Sequence, residues 1–177
     1  MISEISAKHL TSAGWYEGRK INITENVRYL EELGYSVFDS AKKFMEEYGE
    51  LDITDKYIGH NEKIFSEHHT TCLKDLFYNN KKFDLDVLVG EMTIPVLLEC
   101  DEVYIYISES GKFYRDAGLL YENSDELWDS LYTENGVFIL TWSRIMAGEK
   151  RVKRKRHVKK YVIGEKWYVN RNSKAAA

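Results

Sequence analysis

The chain has 177 residues, the size of a single domain, and its 44% hydrophobic and 14% aromatic content is enough to build a core. No apolar run approaches the roughly 20 residues that span a bilayer, and the N-terminus lacks the basic start and apolar stretch of a signal peptide. These features exclude a membrane-spanning protein and predict a cytoplasmic one. Cys72 and Cys100 lie far apart without metal-site spacing, so we expect both to be reduced and packed in the interior.

The net charge of −4 conceals two segments of opposite sign. Residues 1–143 hold 13 Lys and Arg against 27 Asp and Glu, whereas residues 144–177 hold 12 against 2. We therefore expect an acidic domain over 1–143 and a basic extension over 144–177. An acidic domain favours a basic partner by steering and complementarity, and a basic extension favours nucleic acid, another anionic surface or the acidic domain itself.

Helical patterns occupy the first third of the chain and recur later. Apolar residues at helical spacing, closed by glycines, predict helices over 3–13, 24–34 and 39–49, with Ser3, Thr24 and Asp39 as N-caps. A short helix is predicted within 84–92, closed near Gly90. A last helix is predicted over 124–132, with Ser124 as its cap.

Strand patterns dominate between these later helices. Strands are predicted over 51–58, 94–100, 102–108, 112–117 and 118–122, with a tight turn at 109–112. Residues 59–69 are polar and predicted to be a loop, residues 70–83 are ambiguous with a possible short strand at 70–73, and residues 137–142 suit a strand or the start of a helix. A small hairpin is predicted around Gly164. The order favours an α+β fold with a mostly antiparallel sheet, flanked by the N-terminal helices and one later helix.

No catalytic motif, phosphate loop or dinucleotide fingerprint is present, so neither an enzyme nor a cofactor is expected. The best metal candidates are His60, His68, His69 and Cys72, but their spacing matches no common zinc site. Acidic residues recur in close pairs, and the pairs on amphipathic helices belong on solvated faces. Their collective action as an anionic face for a partner is the favoured interpretation. These pairs are Glu31/Glu32, Glu46/Glu47, Asp52/Asp55, Asp84/Asp86 and Asp101/Glu102.

A basic run lies between residues 150 and 160. Such a run binds phosphates without sequence preference, or it is simply a solvated helix face. Aromatic residues follow the run and do not interleave with it, which does not support sequence-specific recognition. A contact with nucleic acid would be made by Lys150, Arg151, Lys153, Arg154, Lys155 and Arg156.

A series of short motifs resembles the SUKH superfamily, in particular the branch of bacterial immunity proteins with an N-terminal GW-x-x-GR signature. The resemblance begins at "AGWYEGRKIN", continues through "FMEEYGELDI" and "LVGEMTIPV", and ends after "ESGKFYRDAG" and "SDELWDSLY", covering residues 7–133. Glu50 stands where a second glycine is common, and the basic extension has no counterpart. The matching positions are Gly14, Trp15, Gly18, Arg19, Phe44, Tyr48, Gly49, Leu51, Gly90, Pro95, Gly111, Tyr114 and Gly118.

The resemblance implies a protein that binds and blocks a toxin domain, often a nuclease or deaminase, and that is not itself an enzyme. A basic nuclease would complement the acidic domain. We expect Trp15 to anchor its glycine-flanked turn to the body and Arg19 to pair with a carboxylate or a backbone carbonyl. The acids expected to contact the partner are Glu46, Glu47, Asp52, Asp55, Asp101, Glu102 and Asp116.

Overall fold

The computed structural model describes residues 1–58, 64–116, 118–132, 160–163 and 166–169. They form an α+β fold with an antiparallel sheet, as predicted. The helices are α1 (Glu4–Ser12), α2 (Thr24–Glu32), α3 (Asp39–Tyr48), α4 (Leu73–Leu76), α5 (Asp86–Val89) and α6 (Ser124–Tyr132). The strands are β1 (Asp52–Ile58), β2 (Ile64–Thr70), β3 (Thr93–Glu99), β4 (Val103–Ser108), β5 (Phe113–Arg115), β6 (Gly118–Tyr121), β7 (Lys160–Ile163) and β8 (Lys166–Val169).

Among the described residues, eight strands make one sheet in the order β6-β5-β4-β3-β2-β1-β7-β8, and every neighbouring pair is antiparallel. The turn between β3 and β4 has positive φ at Cys100 (52°) and Asp101 (58°). Two central residues of this kind give the turn a twist that matches the flanking strands. Pro95 cannot donate to the ladder, and the register of β3 against β4 shifts at this point through a bulge between Pro95 and Leu97.

The two faces of the sheet are covered differently. On one face, called here the inner face, α3 packs through Phe44 against Phe113 of β5 and Trp128 of α6, with ring centroids 5.5 and 6.3 Å apart. On the opposite or outer face, the segment from α4 to α5 covers part of β4. There Tyr104 donates a hydrogen bond to the carbonyl of Leu76 (3.1 Å) and its ring packs on that of Phe83. The core is thus built mainly between the sheet and α1, α3 and α6.

Helix ends agree with the predictions in outline and differ in their caps. Ser3 caps α1, since its hydroxyl accepts a hydrogen bond from the amide of Ser6. The predicted caps Thr24, Asp39 and Ser124 are wrong by one residue. Ile23 and Phe38 occupy the cap positions of α2 and α3 without a side-chain bond, and the side chain of Asn123 accepts from the amide of Glu126 at the start of α6.

The prediction of a loop over 59–69 is wrong for its second half, because residues 64–70 form β2 in the middle of the sheet. The possible strand at 70–73 contributes only Thr70, and α4 begins at Leu73. Strand β2 pairs with β1 along its whole length, from Asp52 opposite Thr70 to Ile58 opposite Ile64. This pairing brings the end of β2 beside the beginning of β1.

The predicted hairpin around Gly164 is present as β7 and β8, and β7 extends the sheet by pairing with β1. The segment 137–142 and the boundary expected at 143/144 lie outside the described residues. Within the described part of the chain, no helix has the length and apolarity needed to cross a bilayer.

Candidate partner-binding surface

The turn that follows α1 is fastened to the core by Trp15. Its side chain is only 7% exposed and its ring lies parallel to that of Tyr48, with centroids 6.2 Å apart and an interplanar angle of 5°. The amide of Trp15 donates to the carbonyl of Leu10 (3.0 Å), which ends α1 and directs the chain inward. Trp15 therefore packs as expected for an anchor, while its neighbour Tyr16 points into solvent.

Arg19 joins the same turn to the end of α3. Its two terminal nitrogens donate to the carbonyl oxygens of Glu47 (2.7 Å) and Gly49 (2.8 Å). Carbonyls at a helix C-terminus lack partners within the helix and carry partial negative charge, so a guanidinium is a favourable cap there. Of the two partners expected for Arg19, a carboxylate or a carbonyl, the structure shows the carbonyl.

The glycine pattern at the end of α3 has a direct steric cause. A Cβ atom at Gly49 would lie 2.4 Å from the carbonyl oxygen of Met45, which no side chain tolerates. The following residue, Glu50, has φ of 58°, in the left-handed region that favours glycine. This conformation accounts for the second glycine common in the superfamily, and Glu50 adopts it with a hydrogen bond from the side chain of Asn26 (2.8 Å).

The other motif positions shape turns and packing. Phe44 lies in the core, Pro95 at the bulge of β3, and Tyr114 is partly buried on β5. The remaining glycines all have positive φ in turns or at a strand end: Gly14, Gly18, Gly90, Gly111 and Gly118.

An imidazole holds two of the predicted contact acids together. His68, on β2, is within hydrogen-bonding distance of Asp52 through Nε2 (2.7 Å) and of Asp101 through Nδ1 (2.5 Å). The hydrogen bond with Asp101, followed by that with Asp52, raises the pKa of His68 against the opposing effect of burial. Both carboxylates remain largely exposed, at 69% and 65%. Three parts of the sheet thus present a preorganised, solvent-facing acidic cluster.

More carboxylates surround this cluster at the same end of the sheet. Three carboxylates lie near Cys72, which directly precedes α4. Burial raises the pKa of its half-buried thiol, and the nearby carboxylates of Glu50, Asp75 and Asp52 raise that pKa further. Glu102 is exposed beside Asp101 in the β3–β4 turn. We call this surface the acidic end; it consists of Glu50, Asp52, Asp75, Asp101 and Glu102.

The other predicted contact acids lie elsewhere, and one of them is misassigned. Glu46 and Glu47 are partly buried on α3, with Glu46 3.4 Å from the ammonium of Lys20. Asp116 is exposed after β5. Asp55 is 3% exposed and hydrogen-bonded to buried His9 (2.5 Å), so it cannot contribute to an exposed anionic face. Residues three apart in a strand point to opposite faces, which separates Asp55 from Asp52.

The predicted metal candidates do not come together. His68 points outward and His69 is buried on the inner face, as adjacent residues of a strand must be. His60 lies outside the described residues. In the described ranges no three His, Cys, Asp or Glu side chains are grouped so that they could hold a metal ion. Cys72 and Cys100 form no disulfide and both are half-buried, so the expectation that they pack in the interior holds only in part.

Sequence reasoning missed Glu50 and Asp75 as members of the acidic end, and it missed His68 as the residue that joins Asp52 to Asp101. Glu50 and Asp75 are 25 residues apart in the chain, and only the β1–β2 pairing brings them to one end of the sheet. The predicted nucleic-acid contacts from Lys150 to Arg156 lie outside the described residues and stay a prediction.

We call the contacts of His68 with Asp52 and Asp101 the clamp, and we expect them to make the free energy of unfolding depend on pH. Because the folded-state pKa of His68 is raised, the clamp stabilises the fold fully below the unfolded value of about 6.5, and this contribution is lost as pH rises through the higher folded value. An exposed ion pair contributes at most about 1 kcal/mol. Urea unfolding at pH 6 and pH 9 should show a larger loss for wild type than for His68→Gln. Equal losses, or an NMR titration of His68 at or below its ordinary pKa, would contradict the clamp.

Comparison with known proteins gives one match. A family model described as SUKH-3 immunity protein matches residues 2–134, three quarters of the chain. Neither a curated protein nor a solved structure gives a match.

Proposed function

The chain belongs to the SUKH-3 immunity protein family, and from this premise we propose that it neutralises a basic toxin domain, a nuclease, by covering it with the acidic end. The observation that carries the proposal is the clamp of Asp52 and Asp101 by His68, which holds two exposed carboxylates in fixed positions. Carboxylates ordered before binding lose little conformational freedom when a partner arrives. The acidic end is thus suited to bind a cationic surface.

The charge of the whole domain supports the same partner. Residues 1–143 carry an excess of 14 acidic over basic residues, which attracts a cationic partner from a distance. A nuclease holds its substrate largely through Lys and Arg on phosphates. A surface of carboxylates can occupy those cations and exclude the nucleic acid without any chemical step.

The proposal is tested with the toxin domain that we expect to be encoded next to the gene of this protein. Co-expression in a bacterial host should restore growth that the toxin domain alone arrests, and purified protein should inhibit nucleic-acid cleavage at a one-to-one ratio. Persistent growth arrest together with no complex in a binding assay would overturn the proposal. Restored growth without any cleavage of nucleic acid by the toxin would overturn only its nuclease part.

Neutralising the acidic end should weaken binding more than neutralising the same number of charges elsewhere. In the triple variant Asp52→Asn, Asp101→Asn, Glu102→Gln we expect the Kd to rise at least tenfold at low salt, mainly through slower association, and the salt dependence to flatten. The matched control is Glu17→Gln, Glu31→Gln, Asp39→Asn, which removes three exposed charges from other surfaces. Similar effects of both variants would show that only net charge matters and that the acidic end is not the contact.

A further inference from the structure

Helix α5 displays apolar side chains that contribute nothing to the core. Val87 is 100% exposed and Leu88 is 60% exposed, and α5 has no buried residue at all. Folding gains little from apolar side chains left in water. The stability of the fold therefore does not explain these two side chains. Exposed apolar surface commonly marks an interaction site.

The position of α5 is nevertheless firmly fixed. Asp86 accepts hydrogen bonds from the amide (2.7 Å) and hydroxyl (2.8 Å) of Thr93, and that hydroxyl in turn accepts one from the amide of Leu85 (2.7 Å). Thr93 is buried at the start of β3, and Gly90 closes the helix with φ of 82°. Val87 and Leu88 are therefore held on a rigid support, as an interface anchor requires.

The outer face of the sheet, on which Thr93 holds α5, also carries apolar and aromatic side chains. Thr93 pairs with Ser108 on β4, and two residues away along β4, on the same face, Tyr106 pairs with Tyr114 of β5. Tyr114 pairs in turn with Leu119 of β6, which is 49% exposed. We call these side chains of α5 and of the outer face together the outer patch; it consists of Val87, Leu88, Tyr114 and Leu119.

Carboxylates lie near Tyr106, which pairs with Tyr114 of the outer patch. Burial, with smaller contributions from Tyr104 and from the charges of Asp116 and Asp84, raises the pKa of Tyr106 to about 12. Asp116 is exposed, and Asp84 lies 3.3 Å from the ammonium of Lys82. An apolar centre with a charged border is the common composition of a specific protein interface, with tyrosine among its favoured residues.

We infer that the outer patch is the apolar part of the contact with the toxin domain, whose charged part is the acidic end, and that it is seated in an apolar recess on the toxin's basic surface. The inference rests on the proposed function and deepens it. The acidic domain and the carboxylates near Tyr106 select a basic partner, while Val87 and Leu88 supply the contact that slows dissociation. Long-range charge accelerates association, and buried apolar anchors govern the lifetime of the complex.

The test is the double variant Val87→Ser, Leu88→Ser against the purified toxin domain. Its Kd should rise at least tenfold, which corresponds to about 1.4 kcal/mol, with the increase in the dissociation rate and with an unchanged melting temperature. The matched control is Tyr16→Ser, Tyr78→Ser, which removes two side chains that are 59% and 75% exposed outside the patch. The control should bind as wild type does.

Wild-type affinity of the patch variant would overturn this inference alone, provided that wild type neutralises the toxin. If only the Tyr16 and Tyr78 control lost affinity, the contact would lie on another surface, and the inference would also be overturned. A dimer of wild type that the patch variant converts to a monomer, with toxin binding unchanged, would assign the patch to a second copy of this chain. Failure of wild type itself to bind the toxin would overturn both this inference and the proposed function.

Discussion

Replacing Trp15 by alanine should lower the free energy of unfolding by about 3–5 kcal/mol, the usual cost of truncating a buried tryptophan. The indole is almost fully buried and lies flat on Tyr48 of α3. Its removal opens a cavity between the turn and the helix, and the Arg19 cap on α3 loses the support that holds it in place. Urea unfolding followed by circular dichroism measures the change.

Tyr16 is the natural control, because it is the adjacent aromatic residue and is 59% exposed. Tyr16→Ala should change stability by no more than about 0.5 kcal/mol. If Trp15→Ala kept wild-type stability and lost toxin binding, Trp15 would be a partner contact and its packing incidental. Trp15→Phe should fall between the two variants, because a smaller ring still fills part of the site.

The helices and the β3–β6 meander were predictable because each carries its own local signal. Apolar residues at helical spacing and closing glycines define α1 to α3, and β-rich runs separated by turn residues define β3 and β4. The caps were less predictable, since Thr24, Asp39 and Ser124 are good capping residues in sequence that the chain places one position inside the helix.

Strand β2 was not predictable, because its covered face is polar. Ser66 and His68 point outward, while Glu67 and His69 face inward opposite Asp55 and Ile53. The alternation of apolar and polar residues that identifies a half-buried strand is therefore absent. The partners of these inward side chains lie far away in the chain, so the strand is recognisable only when the whole sheet is assembled.

The negative charge of the candidate surface was predictable from the sequence, but its position on the fold was not. The excess of acidic residues is visible in the sequence, but the acidic end depends on the register of β1, β2 and the β3–β4 turn. The outer patch was missed because Val87 and Leu88, in a short apolar stretch, suggest core residues. Only the fixing of α5 by Asp86 and Thr93 turns them outward.

The second large effect concerns Asp52 and Asp55, which are three residues apart in the sequence. We expect replacement of Asp55 to reduce stability and replacement of Asp52 to reduce toxin binding. Asp55→Ala should lower the free energy of unfolding by about 1–3 kcal/mol, because it removes the carboxylate that is hydrogen-bonded to the buried imidazole of His9. That partner, His9, is fully buried, donates a hydrogen bond through Nδ1 to the carboxylate of Asp55, and stacks on Tyr132 with ring centroids 4.2 Å apart. Asp52→Ala removes an exposed partner of His68 and should cost no more than about 1 kcal/mol.

The effects of the two variants on toxin binding should follow the reverse order of their effects on stability. Asp55 has no exposed surface to offer a partner, so Asp55→Ala, measured at a temperature where it stays folded, should bind the toxin domain with wild-type affinity. Asp52→Ala should be folded and bind more weakly. Asp55→Asn retains the shape of the side chain and serves if the alanine variant does not fold. Equal stability losses in Asp52→Ala and Asp55→Ala would contradict the buried role of Asp55. Weaker toxin binding by folded Asp55→Asn would return that residue to the contact surface.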